Sequence, residues 1–260
     1  MHSFWGWEIA VYLFLGGLAA GLMILSAIAK RESFAMRVLP FAAPLALSGG
    51  MFALFLDLGA KLHVFRFYTA FRVTSPMSWG AWILLAIYPA TIAYGLRPTE
   101  TLRRVNLALG VGLGAYTGIL LATLTARAAW GSLFLAPLFL VSGVSAGAAL
   151  TMFLPLTEAE RRSVRRWDLA AIGAEGLVLF FFFLDLIAAG GARGRAAASL
   201  FFGGAYTAAF WSLVVIAGLA LPAALEVIEC RRRIHIAIAP ALVLAGGFAL
   251  RWIFVAAGQV

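Results

Sequence analysis

Residues 9–29 read IAVYLFLGGLAAGLMILSAIA, a run without one charged side chain that stops at Lys30 and Arg31. It is as long as a helix must be to cross the hydrocarbon of a bilayer. It does not alternate apolar with polar residues, as a strand of a membrane barrel does. Similar runs recur at 39–60, 79–96, 105–126, 131–154, 168–190, 199–225 and 236–256. Together they predict an all-α, polytopic membrane protein with about eight transmembrane helices.

Composition agrees. Hydrophobic residues make up 63% of the 260 and charged residues 12%, with a mean hydropathy of +0.98. A soluble domain carries roughly twice that charge. Most of the outer surface therefore faces lipid, where a spanning backbone must satisfy its own hydrogen bonds. The opening MHSFWGWEIAVYLFLGGLAAG has no basic region and no cleavage site, and is read as the first span, retained. The net charge of +9 suggests nucleic acid, but the arginines fall between apolar runs, as topology signals do. No nucleic-acid partner is expected. Cys230 is the single cysteine, which leaves no basis for an intrachain disulfide, an iron–sulfur cluster or a multi-cysteine metal site.

Orientation follows from the basic residues. Loops on the side of the N-terminus carry Lys61, Arg66, Arg72, Arg127, Arg193 and Arg195. The opposite side carries Lys30, Arg31, Arg37, Arg97, Arg103, Arg104, Arg161, Arg162, Arg165, Arg166, Arg231, Arg232 and Arg233. The positive-inside rule puts that richer side in the cytoplasm and both termini outside. The stretch TEAERRSVRRWD reads as the cytoplasmic link between the fifth and sixth spans.

An internal repeat is visible. FLGGLAAGLMIL in span 1 resembles FLVSGVSAGAAL in span 5 at an offset of 126; FLDLGA resembles FLDLIA at 128; Trp82 and Trp211 are offset by 129. This suggests two tandem four-helix bundles, 1–127 and 128–260, in parallel orientation. Gly17, Ala20, Gly21, Gly143 and Gly147 are small enough to let helix backbones approach closely.

A strongly polar group inside a span is costly and asks for a reason. Glu8 and Tyr12 open span 1, Asp57 closes span 2, and His63 follows in the longest loop on the N-terminal side. Tyr116 lies within span 4, Asp185 closes span 6, Arg251 lies toward the outer end of span 8, and Glu175 sits deeper in span 6. Each has a plain alternative. Asp57 and Lys61 are spaced to pair on a helix end. Tyr12 and Tyr116 could be packed tyrosines. His63 could lie among headgroups, Arg251 could snorkel to the interface, and Asp185 could be only the repeat partner of Asp57. What sets the group apart is that acidic, phenolic and imidazole groups gather at one membrane depth. Such a cluster suits a quinone: donors hold its carbonyl oxygens, an ionisable group exchanges protons with water, and the tail enters from lipid. In this reading Tyr116, Tyr12 and His63 bind the quinone and Asp57 or Glu8 exchanges the proton. Glu175, Asp185 and Arg251 form a proton path. The histidines His2, His63 and His235 lie at ends or in loops, so no bis-histidine haem is expected.

Three segments carry a family resemblance: FWGWEIAVYLFLGGLAAG, RVTSPMSWGAW and LRWIFVAAGQV. They resemble the NrfD-like membrane subunits, which include the polysulfide reductase anchor, and the likeness runs over nearly the whole chain. The resemblance implies a haem-free subunit of eight helices in a bacterial or archaeal cytoplasmic membrane. It implies menaquinone or ubiquinone bound near the outer face. It also implies an iron–sulfur partner with four cubane clusters on that face and, through it, a molybdopterin catalytic subunit. Tyr116 matches a family tyrosine at the quinone, and Asp57 approximately matches a family acidic residue. Ile9 and Tyr12 stand where polysulfide-reductase-like members have asparagine and histidine. A transporter or ion-translocating subunit is the rival reading, and a purely structural anchor a third. Against the transporter, no two spans show matched Gly/Pro breaks at the midplane.

Overall fold

The computed structural model describes residues 6–57, 76–123, 128–232 and 237–259. Among these residues the regular structure is helical. In chain order the helices are α1 (Trp7–Ile28), α2 (Phe34–Asp57), α3 (Pro76–Leu96), α4 (Glu100–Ala122), α5 (Leu135–Met152), α6 (Glu158–Ala188) and α7 (Gly191–Phe202). Then come α8, built from Thr207–Ala209, Phe210–Ala220 and Leu221–Arg232, and α9 (Ile238–Ala257). All but α3 and α7 are long and apolar enough to cross a membrane, and α3 is apolar over Gly80–Leu96. The chain is a multi-pass helical membrane protein. Leu45, Phe52, Leu85, Leu177, Phe180, Ile216 and Trp252 point outward, as lipid-facing residues should.

Two boundaries differ from the sequence reading. TEAERRSVRRWD is not a link: it forms the first turns of α6, a 31-residue helix. Its start is fixed by a capping box, in which the Thr157 side chain accepts from the Glu160 amide and the Glu160 carboxylate accepts from the Thr157 amide. The run at 199–225 is also divided. α7 ends at Phe202, and the spanning helix α8 begins at Thr207 and runs past residue 225. The turn before α7 uses Gly191 at a φ of 58°, in the left-handed region open to glycine.

α1 is the most buried span. Helices α1, α2, α3 and α4 pack as a ring, each on its neighbours, and α5, α6, α8 and α9 pack likewise. The packing crosses the boundary expected near residue 127, because α1 lies against α5 and α9, and α4 against α5. The repeat-related glycines explain how. A Cβ at Gly21 would meet the backbone of Gly143 and Gly147, and one at Gly143 would meet the backbone of Gly17. The two helices therefore touch main chain to main chain. α8 and α9 meet in the same way at Gly218 and Gly246.

On the face opposite the N-terminus, Glu160 ties the two rings together. Its carboxylate accepts from the amides of Glu32 (3.1 Å) and Ser33 (2.8 Å) at the α1–α2 link. Within the first ring, fully buried Asn106 donates to Met23 O (3.0 Å) and accepts from Thr91 (2.9 Å), so its side-chain amide is satisfied where no water reaches.

Candidate functional site

The first polar group lies at the N-terminal end of the first ring. Tyr116, on α4, is six residues before the end of its helix, or about 9 Å at 1.5 Å per residue. Its ring is buried, and its hydroxyl end lies directly on the Cα of Gly80 in α3, where any Cβ would overlap it. Gly80 is the glycine of the WGAW stretch, so that motif makes the room Tyr116 occupies. No residue among those described hydrogen-bonds the Tyr116 hydroxyl. Next along α4, Thr117 packs its methyl 3.6 Å from the Cβ position of Gly16 on α1. Tyr12, one turn before Gly16, is buried, and its carbonyl lies against Gly50 of α2.

Glu8 and Asp57 sit at the mouth of this end. Glu8 is half-buried and Asp57 exposed, and their carboxylates lie close enough for their charges to interact. Tyr12, Tyr116, Glu8 and Asp57 thus occupy the same end of one helical ring. His63 and Lys61 lie outside the described residues.

The second group centres on Arg251. It does not snorkel: the side chain is fully buried, with 0% exposure. Nε donates to Leu13 O of α1 (3.1 Å), Nη2 to Phe139 O of α5 (3.2 Å), and Nη1 to Ser142 Oγ (3.1 Å) and Gly247 O (2.9 Å). Phe139 and Phe14 lie 5.3 and 5.8 Å from the guanidinium carbon. Gly17 is required here, because a Cβ would run into the guanidinium. Glu175, also buried, lines the same small cavity as Ser142 and lies within electrostatic range of Arg251. Asp185 is not in this group. It stands ten residues beyond Glu175 on the same helix, about 15 Å away along the axis.

The sequence reading missed a third set. Arg165, Asp168, Glu226 and Glu229 are all buried. Arg165 Nη2 meets Glu229 Oε2 at 2.7 Å, and Ser145 donates to Asp168 at 2.6 Å. A signal was present: Arg165, Asp168 and Glu175 fall on one face of a helix, as do Glu226 and Glu229. It was obscured because both stretches border arginine runs that read as solvent-facing.

Comparison with known proteins settles the family. The profile described as "Polysulphide reductase, NrfD" matches residues 1–260. The chain belongs to the NrfD family. Among curated NrfD-family relatives, the C subunit of polysulfide reductase from Wolinella succinogenes is 31% identical over 301 residues, covering 98% of this chain and 94% of that protein. Protein NrfD of Escherichia coli strain K12 is 28% identical, covering 85% of this chain and 84% of the relative.

Proposed function

We propose that this NrfD-family chain is the quinone-binding membrane subunit of a respiratory oxidoreductase. It exchanges electrons between the quinone pool and a peripheral iron–sulfur subunit on the outer face, and through that with a molybdopterin subunit. The observation that carries the site is Tyr116, whose buried ring lies against Gly80 and whose hydroxyl is unpartnered among the described residues. A phenol hydroxyl on a buried ring, with no protein acceptor, is a free donor that a ligand carbonyl would take up.

The residues fit a quinone. Tyr116 donates to a carbonyl oxygen, Tyr12 and the α1–α2 contact stand beside it, and His63 joins the group on sequence grounds. Bound quinone supplies two-electron chemistry linked to two protons. Asp57 and Glu8, at the aqueous mouth, take up or release those protons at their carboxylate oxygens. Arg251 and Glu175, one residue beyond the Tyr12 contact through Leu13 O, handle protons on the second-ring side.

Tyr116→Phe tests this reading, because it keeps the ring and removes only the hydroxyl. Quinone-linked turnover and inhibitor affinity should fall several-fold, for a loss of about 1 kcal/mol or more, with assembly intact. Wild-type activity and inhibitor binding in both Tyr116→Phe and Asp57→Asn would refute the site.

A further inference from the structure

We infer that Asp168 and Glu226 share one buried proton and form the inner station of a proton path. The path links the Arg251–Glu175 centre to the membrane face opposite the N-terminus. It rests on the quinone reading only for the source and destination of the protons.

Geometry carries the shared proton. Asp168 and Glu226 are both 0% exposed. Ser145 satisfies Asp168 Oδ1, but Asp168 Oδ2 and both oxygens of Glu226 meet no donor. Glu226 faces the carboxyl of Asp168. An ionised carboxylate only accepts, so two facing carboxyls bond each other only when one holds a proton. The other charged groups facing the pair are Arg165, Glu229 and, farther along α6, Glu175. A metal cation is a poor occupant, because the Arg165 guanidinium is already among the carboxylates.

The chain of groups has a direction. Arg165 and Glu229 lie nearest the face opposite the N-terminus, one helical turn beyond Asp168 and Glu226. On the other side of the pair, Ser145, Ser142 and Glu175 line a small cavity with room for about one water. Gly218, Gly246 and Gly247 line the same space. Gly218 belongs to the π-helical stretch of α8, a winding frequent at functional sites.

The transfer balances. The Ser145 hydroxyl gives its proton to Asp168 Oδ1, along the bond it already donates, and is refilled by the cavity water, which takes one from the Glu175 carboxyl. The pair releases its shared proton from Glu226 past Glu229. The reverse order, with the Ser145 hydroxyl turned toward the cavity, carries a proton in.

The test uses the intact complex in lipid, isolated through this chain. Infrared spectra in H2O and D2O should show a protonated-carboxyl C=O band that shifts on exchange and is lost in Glu226→Gln. Proton-coupled turnover should fall about tenfold or more. If Glu226→Gln fails to assemble, Ser145→Ala decides: it alters no charge, removes one bond to Asp168, and should shift the same band and slow turnover. An absent band in the wild type, or one unmoved by both variants, overturns the proposal. Tyr116→Phe should leave this band in place, so failure of the quinone site and failure of the path are read separately.

Discussion

Replacing Gly80 with alanine puts a methyl carbon where the hydroxyl end of Tyr116 now lies. The neighbour it meets is a rigid ring and not the tip of a flexible chain, so Tyr116 must leave its position. Overpacking of this kind costs about 1–3 kcal/mol of stability. Displacing the hydroxyl also removes the hydrogen bond proposed to hold the quinone, about 1 kcal/mol or more, which is several-fold in affinity. Gly80→Ala should therefore lower both heat resistance of the solubilised complex and quinone-linked turnover in membranes. Tyr116→Leu shortens the side chain and clears the space. In that background the added methyl should cost less, giving a coupling energy of about 1 kcal/mol or more in a double-mutant cycle. An equal cost of Gly80→Ala in both backgrounds, or none in either, would refute the contact and the role built on it.

Arg251→Met removes four hydrogen bonds and leaves Glu175 as a buried carboxylate without its counter-charge. It should cost about 3–5 kcal/mol in heat or denaturant resistance. Adding Glu175→Gln should restore much of that, and no recovery would mean the two do not act as a pair. Reporter fusions at Arg162 and after the C-terminus should score cytoplasmic and external; the opposite pattern would reverse the placement of the quinone site. Charge reversal at Arg66 and Arg72 should release the iron–sulfur subunit, more so at high salt, as measured by co-purification.

The spans were legible because lipid forbids charge and demands length, and nothing else in the chain competes with that signal. Close approach of helix backbones at Gly17, Gly21, Gly143 and Gly147 was legible too, but not that α1 and α5 approach each other, since the repeat put them in separate bundles. The surroundings of Arg251 were not. One arginine near a span end reads as snorkelling, and only the packing of α1, α5 and α9 reveals carbonyls turned toward it. Glu226 and Glu229 were hidden by Arg231, Arg232 and Arg233. The end of α8 looked wet, but it lies beside the early turns of α6, which themselves read as a loop. The contact of Tyr116 with Gly80 joins two helices and leaves no local pattern in the chain.

The buried guanidinium also bears on biogenesis. α9 follows every other described helix, so it leaves the ribosome after α1 to α8. Alone in lipid, an arginine at the centre of a helix disfavours insertion by about 2.5–3.5 kcal/mol, and Arg251 stands six residues from the end of α9. Its partners beyond its own helix, Leu13, Phe139 and Ser142, belong to spans synthesised long before. The guanidinium of α9 is thus accommodated by protein and not by lipid. α1 is completed late, because the carbonyl of Leu13 waits for Arg251, 238 residues further along the chain, to arrive.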